Sequence, residues 1–213
     1  YDINVNGSIS LIKAMKIVGI TNLLFSSSAT IYGEPKYLPI DELHPLEVIN
    51  PYGETKLIVE NILKRIIIAN NKWSITSLRY FNPIGSHKSA LIGDDPLTLK
   101  PQNIMPSIIK VAKGIKDNFQ IYGNDYDTLD GTGVRDYIHV MDLAKAHINA
   151  LNHLISNTGL HVFNLGTGNG FSVMEVINTF EKVTGQKIPK VFIQKRMGDV
   201  STCYADPTKA RNI

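Results

Sequence analysis

Leu23-Leu24-Phe25-Ser26-Ser27-Ser28 is a short apolar run of strand type that ends in a row of hydroxyls, and the residues on either side of it decide the fold. Upstream, Ile9, Ile12, Met15 and Val18 recur at helical spacing, and Gly19 stops that helix before the apolar run begins. Downstream, Pro35, Pro39 and Pro45 make a loop. Asn50-Pro51 then supplies an N-cap followed by proline in the first helical turn, which predicts a helix through about Ala69. Ser74 to Tyr80, rich in β-branched and aromatic residues, reads as the next strand. The order α-β-α-β predicts an α/β fold with a doubly wound parallel sheet, in which ligands gather at the carboxyl ends of the strands. The hydroxyls of Ser26-Ser27-Ser28-Ala29-Thr30 would stand at that edge.

Beyond Asn82 the pattern becomes irregular. Loops carrying Gly85, Gly93, Pro96 and Pro101 lead to a helix near Pro106–Ile115 and a strand at Phe119–Tyr122. Asp142 to Leu154 reads as helix and His161 to Leu165 as strand, while Ser172 with Glu175 forms a capping box opening a helix through about Val183. Ile188 to Ile193 is the last strand expected. There is no internal repeat and no low-complexity segment.

Composition narrows the class. The chain has 213 residues, of which 43% are hydrophobic, enough for one large domain or one and a half. Its formal charge of +3 is small, and apart from Lys187, Lys190, Lys195 and Arg196 the basic residues are scattered. That is no nucleic-acid stripe; a small anionic ligand fits better. Cys203 is the only cysteine, so no intrachain disulfide forms and a reducing compartment, the cytoplasm, is the default expectation. Neither a membrane-length apolar run nor a leader is visible, and Asn6-Gly7-Ser8 reads as a chance glycosylation triplet. The chain opens at Tyr1 without Met, already inside an amphipathic helix, and is expected to be a fragment of a protein that extends in both directions.

Tyr52 and Lys56 stand four apart on the helix opened by Pro51, so both project from one face. A phenol is a poor base at neutral pH, but an adjacent ammonium favours the phenolate. Alone, Tyr-x-x-x-Lys is also an ordinary solvated helix face, and a Ser/Thr cluster after a strand is also an ordinary turn or cap. Gly166-Thr167-Gly168-Asn169-Gly170 suggests a dinucleotide fingerprint, yet G-x-G-x-x-G would need glycine where Phe171 stands, so a tight strand-to-helix turn is the better reading. His139, His147, His153 and His161 show no metal-ligand spacing, so no metal is expected and they read as core or surface residues; Trp73 reads as packing.

Taken together, the strand running into Ser26-Ser27-Ser28, Pro51-Tyr52-Gly53-Glu54-Thr55-Lys56 and Arg79-Tyr80-Phe81-Asn82-Pro83 resemble the extended short-chain dehydrogenase/reductase superfamily. Gly123-Asn124-Asp125-Tyr126, Asp130-Gly131-Thr132-Gly133-Val134-Arg135-Asp136-Tyr137-Ile138-His139-Val140, Asn164-Leu165-Gly166-Thr167-Gly168 and Arg196-Met197-Gly198-Asp199 extend the likeness over nearly the whole chain, and are similar to the UDP-glucose/UDP-galactose 4-epimerase family within it. The resemblance implies a partial Rossmann-type sheet over residues 1–82, the carboxyl-terminal part of an NAD-binding domain. Residues 83–213 would form mainly a smaller α/β region for the UDP-sugar, with a return segment near 136–170 packing on the first part.

The same resemblance assigns roles. Tyr52 is the catalytic base, Lys56 its activator and a ribose contact of NAD, and Ser28 the hydroxyl at the sugar 4-OH. Tyr80, Ser26 and Asn4 join Tyr52 and Lys56 as cofactor contacts. Asn82, Arg135 and Arg196 hold the diphosphate, Asp199 the uridine ribose, and Asn103, Gln120 and Tyr122 wall the nucleotide. On residues alone, Arg135 and Arg196 would be surface ion-pair residues; as ligands, their planar forks suit phosphate. Cys203 stands four residues after Asp199 at a sugar-pocket position; either it leaves room for N-acetylhexosamines or it is a small buried apolar residue.

The implied reaction interconverts UDP-galactose and UDP-glucose through C4 oxidation, rotation of the keto-sugar and re-reduction, with a homodimer as the working form. The Gly-rich turn that holds the NAD pyrophosphate is not among these residues, so the polypeptide alone is expected to be inactive. A 4,6-dehydratase would need carboxylate chemistry directly after Ser28, where Ala29 and Thr30 stand. A decarboxylase, a 5-epimerase or a non-catalytic nucleotide-sugar-binding protein are the other readings.

Overall fold

A computed structural model of the chain describes residues 1–95 and 103–213; Pro96 and Pro101, expected in loops, lie outside the described residues. After a π-turn at Asp2–Asn6, helix α1 runs over Gly7–Val18 and ends at Gly19, whose φ of 74° closes the helix in the left-handed region that glycine tolerates. Its core stripe is shorter than expected: Met15 is buried, whereas Val18 is 67% exposed. Strand β1 covers Asn22–Ser28 and helix α2 Pro51–Ala69, with strand β2 at Ser74–Tyr80. The serines that follow the apolar run Leu23-Leu24-Phe25 are part of the strand, and Ser28 also caps the turn that follows it. They pair in parallel with β2 as Ser26↔Leu78, Ser27↔Arg79 and Ser28↔Tyr80, and this ladder holds them extended.

Strand β3 is Asn82–Ile84, helix α3 Ile104–Ala112, β4 Phe119–Tyr122, β5 Val134–His139 and α4 Val140–Ser156. Then come β6 at Gly159–Leu165, β7 at Gly170–Ser172, α5 at Val173–Thr184, β8 at Lys190–Ile193, β9 at Thr202–Cys203 and α6 at Thr208–Arg211. The capping box at Ser172 and Glu175 is present as read. Among the described residues no helix is long and apolar enough to cross a membrane.

One parallel sheet has the order β1-β2-β6. Alternate residues of β2 face opposite layers. Ile75 packs with Met15, Val59, Leu63 and Trp73 beneath α1 and α2, whereas Leu78 packs with Leu143, Ala150 and Phe163 beneath α4. Helices on both faces make the doubly wound arrangement expected from the α-β-α-β order. A second core gathers Ile108 and Val111 of α3, Phe119 and Ile121 of β4, Ile177 of α5, and Ile188. Between the two, β5 pairs with β3, β7 and β9. Ala29, Ile31, Tyr32, Ile40, Phe81, Cys203 and Ala205 form the core at this junction.

Candidate active site

The first corner is built where α2 starts over the end of β1. Asn50 caps the helix by accepting from the Gly53 amide at 2.8 Å. A Cβ at Gly53 would lie 2.8 Å from the Thr30 carbonyl oxygen, so only glycine lets the helix start rest this close to the turn after β1. That approach carries Tyr52 and Lys56 to the serine edge. The Lys56 Nζ donates to the Ser26 carbonyl at 2.9 Å and lies 5.6 Å from the centre of the Tyr52 ring, with Tyr52 itself 50% exposed. Partial burial of Lys56 pulls its pKa below the ordinary lysine value. Asn4 reaches the corner indirectly: its amide donates to Thr55 Oγ1 at 2.9 Å, and that hydroxyl donates to the Tyr52 carbonyl at 2.7 Å.

Ser28 Oγ accepts from both the Thr30 hydroxyl, at 2.9 Å, and the Thr30 amide, at 3.3 Å. With its lone pairs so used, its own O–H is left to donate. Tyr80 ends β2 beside it, its hydroxyl 2.7 Å from Ser26 Oγ and in contact with His147 Nε2. Burial keeps the Tyr80 phenol above its usual pKa; the Ser26 hydrogen bond opposes this and the neighbouring Tyr52 adds to it.

Seven of the expected nucleotide contacts share one cleft of about 500 Å³: Asn82, Asn103, Gln120, Tyr122, Arg135, Arg196 and Asp199. Strand alternation explains the β4 members. All four residues of β4 border the cleft, but Phe119 and Ile121 are buried in the second core, which leaves Gln120 and Tyr122 as its partly exposed members there. The Arg196 guanidinium lies 3.5 Å from the centre of the Tyr122 ring, and Arg135 is held by Asp199 at 3.2 Å and the Val134 carbonyl at 2.8 Å. Asn103 donates to Asp94 at 2.7 Å. Lys110 and Lys116 add positive charge to the wall. The cationic cluster seen late in the sequence is divided among separate partners: Lys187 and Lys190 pair with Glu181, Lys195 with Asp125, and Arg196 stacks on Tyr122.

A smaller adjoining pocket of about 200 Å³ contains Ser28, Thr30, Tyr80 and Cys203, and shares Asn82, Arg135 and Asp199 with the large cleft. The serine edge and the cationic cleft are therefore continuous. Cys203 is 9% exposed, and burial pushes its thiol up to about 11, so it enters the pocket as a small neutral group.

The Gly166-Thr167-Gly168 turn is organised around a carboxylate of the chain itself. Fully buried Asp136 accepts from the amides of Thr167, Gly168 and Ala205 and from the Thr167 hydroxyl, and a Cβ at Gly166 would lie 2.5 Å from Asp136 Oδ2. The stretch is no dinucleotide fingerprint, but it is not the strand-to-helix turn expected either: it joins β6 to β7, and Gly170 is in β7, paired with Asp136 of β5, before α5 begins. Sequence reasoning missed two features. One is His147 against Tyr80, whose signal was its place one turn after buried Leu143 on the helix facing β2. The other is the pair of Glu60 with Arg79, where Glu60 stands four residues beyond Lys56 on the same helix and the carboxylate meets the guanidinium through two bonds of 3.1 and 2.7 Å.

Residues 1–166 match the model of the NAD dependent epimerase/dehydratase family. The chain belongs to that family. It is 50% identical over 211 residues to the UDP-glucose 4-epimerase of Bacillus subtilis, covering 99% of this chain and 62% of that protein. To the human UDP-glucose 4-epimerase it is 49% identical over 212 residues, covering 99% and 61%. Among solved structures, the UDP-glucose 4-epimerase of Bifidobacterium longum in complex with NAD+ and UDP superposes with a TM-score of 0.95 at 50% identity, over 100% of this chain and 63% of that one. The chain thus spans about three-fifths of the length of the relatives it matches, and in family and fold it agrees with the sequence reading.

Proposed function

We propose that the protein to which this chain belongs interconverts UDP-galactose and UDP-glucose at C4. The carrying observation is the continuity of the Ser28–Tyr80 pocket with the cationic cleft through Asn82, Arg135 and Asp199. The two relatives above bear the name of this activity, and the Bifidobacterium longum enzyme was solved with NAD+ and UDP. The fit to NAD rests on Lys56, Tyr52, Ser26 and Tyr80 standing together at the carboxyl edge of β1 and β2. When bound, NAD supplies a hydride acceptor and donor for the sugar C4. Tyr52 takes and returns the proton of the 4-hydroxyl, directly or through Ser28, and the Lys56 ammonium favours the phenolate form of its neighbour. Arg135 and Arg196 bind the diphosphate oxygens, while Asn82, Asp199, Gln120, Tyr122 and Asn103 hold the rest of the nucleotide. Anchoring charge is concentrated in the large cleft, which leaves the sugar free to present either face.

A 4,6-dehydratase is disfavoured because buried Ala29 follows Ser28 and the Thr30 hydroxyl is tied to Ser28. The small Cys203 supports acceptance of UDP-N-acetylhexosamines. Leu11, Ile17 and Ile68 are exposed on α1 and α2, and Ile58, Ile62 and Ile66 line an apolar groove on α2; this face supports a homodimer. The single cysteine suits a cytoplasmic protein. The test is conversion of UDP-galactose to UDP-glucose by the whole protein, with Tyr52→Phe and Lys56→Met in parallel. Loss in both variants is expected; no conversion by NAD-loaded wild type would overturn the proposal.

A further inference from the structure

His147 projects from α4 toward the end of β2, its ring centre 5.3 Å from that of Tyr80. Its Nδ1 lies 2.8 Å from the Leu143 carbonyl oxygen, one turn earlier on the helix. A carbonyl oxygen can only accept, so Nδ1 carries the proton. In a neutral imidazole the other nitrogen is then bare, and Nε2 is an acceptor. Nε2 meets the Tyr80 hydroxyl, which must therefore donate to it. A phenol has one proton, so once it goes to Nε2 the 2.7 Å contact with Ser26 Oγ, in which Tyr80 would otherwise donate, is made with Ser26 as the donor and the phenol oxygen as the acceptor. The Ser26 hydroxyl is thus committed inward, toward Tyr80. Ser26 itself is exposed, so what it offers a ligand at the sheet edge is lone pairs alone.

We propose that His147 is a positioning residue of the cofactor site, which fixes the Tyr80 hydroxyl as a donor into α4 and thereby makes Ser26 Oγ an acceptor for an amide N–H on the ligand. The proposal rests on the reading that NAD, whose nicotinamide carries a carboxamide, occupies this edge. The chain of bonds runs Ser26 to Tyr80 to His147 to the Leu143 carbonyl, each member donating to the next. Without an acceptor at position 147 the Tyr80 hydroxyl turns to donate to Ser26, and the serine proton then faces the ligand where an acceptor is required.

Nitrogen-15 NMR of the NAD-loaded whole protein reads the imidazole directly. The expected result is a neutral His147 protonated at Nδ1; protonation at Nε2 overturns this proposal and leaves the functional reading untouched. Kinetics supply the second arm, with His147→Phe, His147→Gln, Tyr80→Phe and the double variant His147→Phe/Tyr80→Phe. His147→Phe is expected to lower kcat by roughly tenfold to a hundredfold, the scale of a misplaced reacting group, with KM for the UDP-sugar within about twofold. The amide oxygen of His147→Gln restores the acceptor and most of the rate. The double variant should be no slower than Tyr80→Phe, because both act through one hydroxyl. Additive losses would show that His147 acts independently of Tyr80, and would overturn the proposal. Wild type that retains no NAD removes the functional reading and this proposal together, an outcome distinct from a wrong tautomer.

Discussion

Tyr52 and Lys56 sit at a surface corner, so their removal should separate chemistry from folding. The Tyr52 ring is 50% exposed and belongs to no buried cluster, and Tyr52→Phe is expected to change stability by no more than about 0.5 kcal/mol in urea unfolding. Its kcat should fall by about a hundredfold to ten-thousandfold, the range for loss of a positioned proton-transfer group. Burial lowers the pKa of Lys56 from the ordinary 10.5, which adds a pH signature. The ammonium is lost earlier than from an exposed lysine, so the alkaline limb of the kcat profile should begin below 10.5, and Lys56→Met should show at neutral pH the loss that wild type shows only beyond that limb. Cys203 gives the second residue-scale prediction. Its neighbours Ala29, Ile31 and Phe81 are packed and the pocket holds only about 200 Å³, so a phenol there narrows the space beside Ser28. Cys203→Tyr is expected to cut turnover of UDP-N-acetylgalactosamine by at least about tenfold and that of UDP-galactose by less than about threefold, as one displaced group in a small pocket does. Equal losses in a coupled assay would refute the steric reading.

At the scale of elements, the helix bearing Tyr52 is locked to the sheet by a buried ion pair. Glu60 and Arg79 are 8% and 5% exposed, and Arg79 also donates to the Tyr32 hydroxyl at 2.9 Å, which in turn donates to Asn164 at 2.6 Å. Removing either charge leaves the other unpaired, so Glu60→Gln and Arg79→Met should each cost about 3–5 kcal/mol in denaturant unfolding, and the double variant less than their sum. Glu181 joins α5 to β8 differently. The Ile188 amide and the ammoniums of Lys187 and Lys190 hold its carboxyl at about 2, below the usual 4.5. A depressed carboxyl pKa contributes stability above the unfolded value, and that contribution is lost as pH falls from 4.5 toward 2. Glu181→Gln should therefore be less stable than wild type at neutral pH, with the gap closing as the pH of the unfolding experiment approaches 2. These contacts mark what could be read in advance. The start of α2 was legible because Asn50-Pro51 is a local signal, as was the Ser172–Glu175 capping box. How far β1 runs past Phe25 was not legible because serines stay extended only through pairing with β2, and β5 escaped because Arg135, Asp136 and Tyr137 take strand form from β3, β7 and β9 rather than from propensity.

Across the whole molecule, the residues proposed for chemistry and those proposed for anchoring belong to different cores. Tyr52, Lys56, Ser28 and Tyr80 stand on the β1-β2-β6 sheet and its helix, whereas Gln120, Tyr122 and Arg196 stand on or beside the core of α3, β4 and α5. The motifs named the candidate residues but not their division between two cores, because the contacts joining β5 to β9 and Ile40 to Ala205 link distant parts of the chain. The division predicts how binding should respond to mutation. UDP has no sugar to reach the Ser28 pocket, so its affinity should depend on the large cleft alone. By calorimetry with the NAD-loaded whole protein, Arg196→Ala should weaken UDP binding by roughly tenfold to a hundredfold, since it removes both a charged fork and its stack on Tyr122. Arg135→Ala should do the same, with an added loss because Asp199 would then face the diphosphate without its partner. Tyr52→Phe and Ser28→Ala should bind UDP within about twofold of wild type while losing turnover, the pattern of groups used only in the reaction. If Tyr52→Phe weakened UDP binding as much as Arg196→Ala, the two cores would be acting as one rigid site, and a sugar held that firmly could not turn its other face.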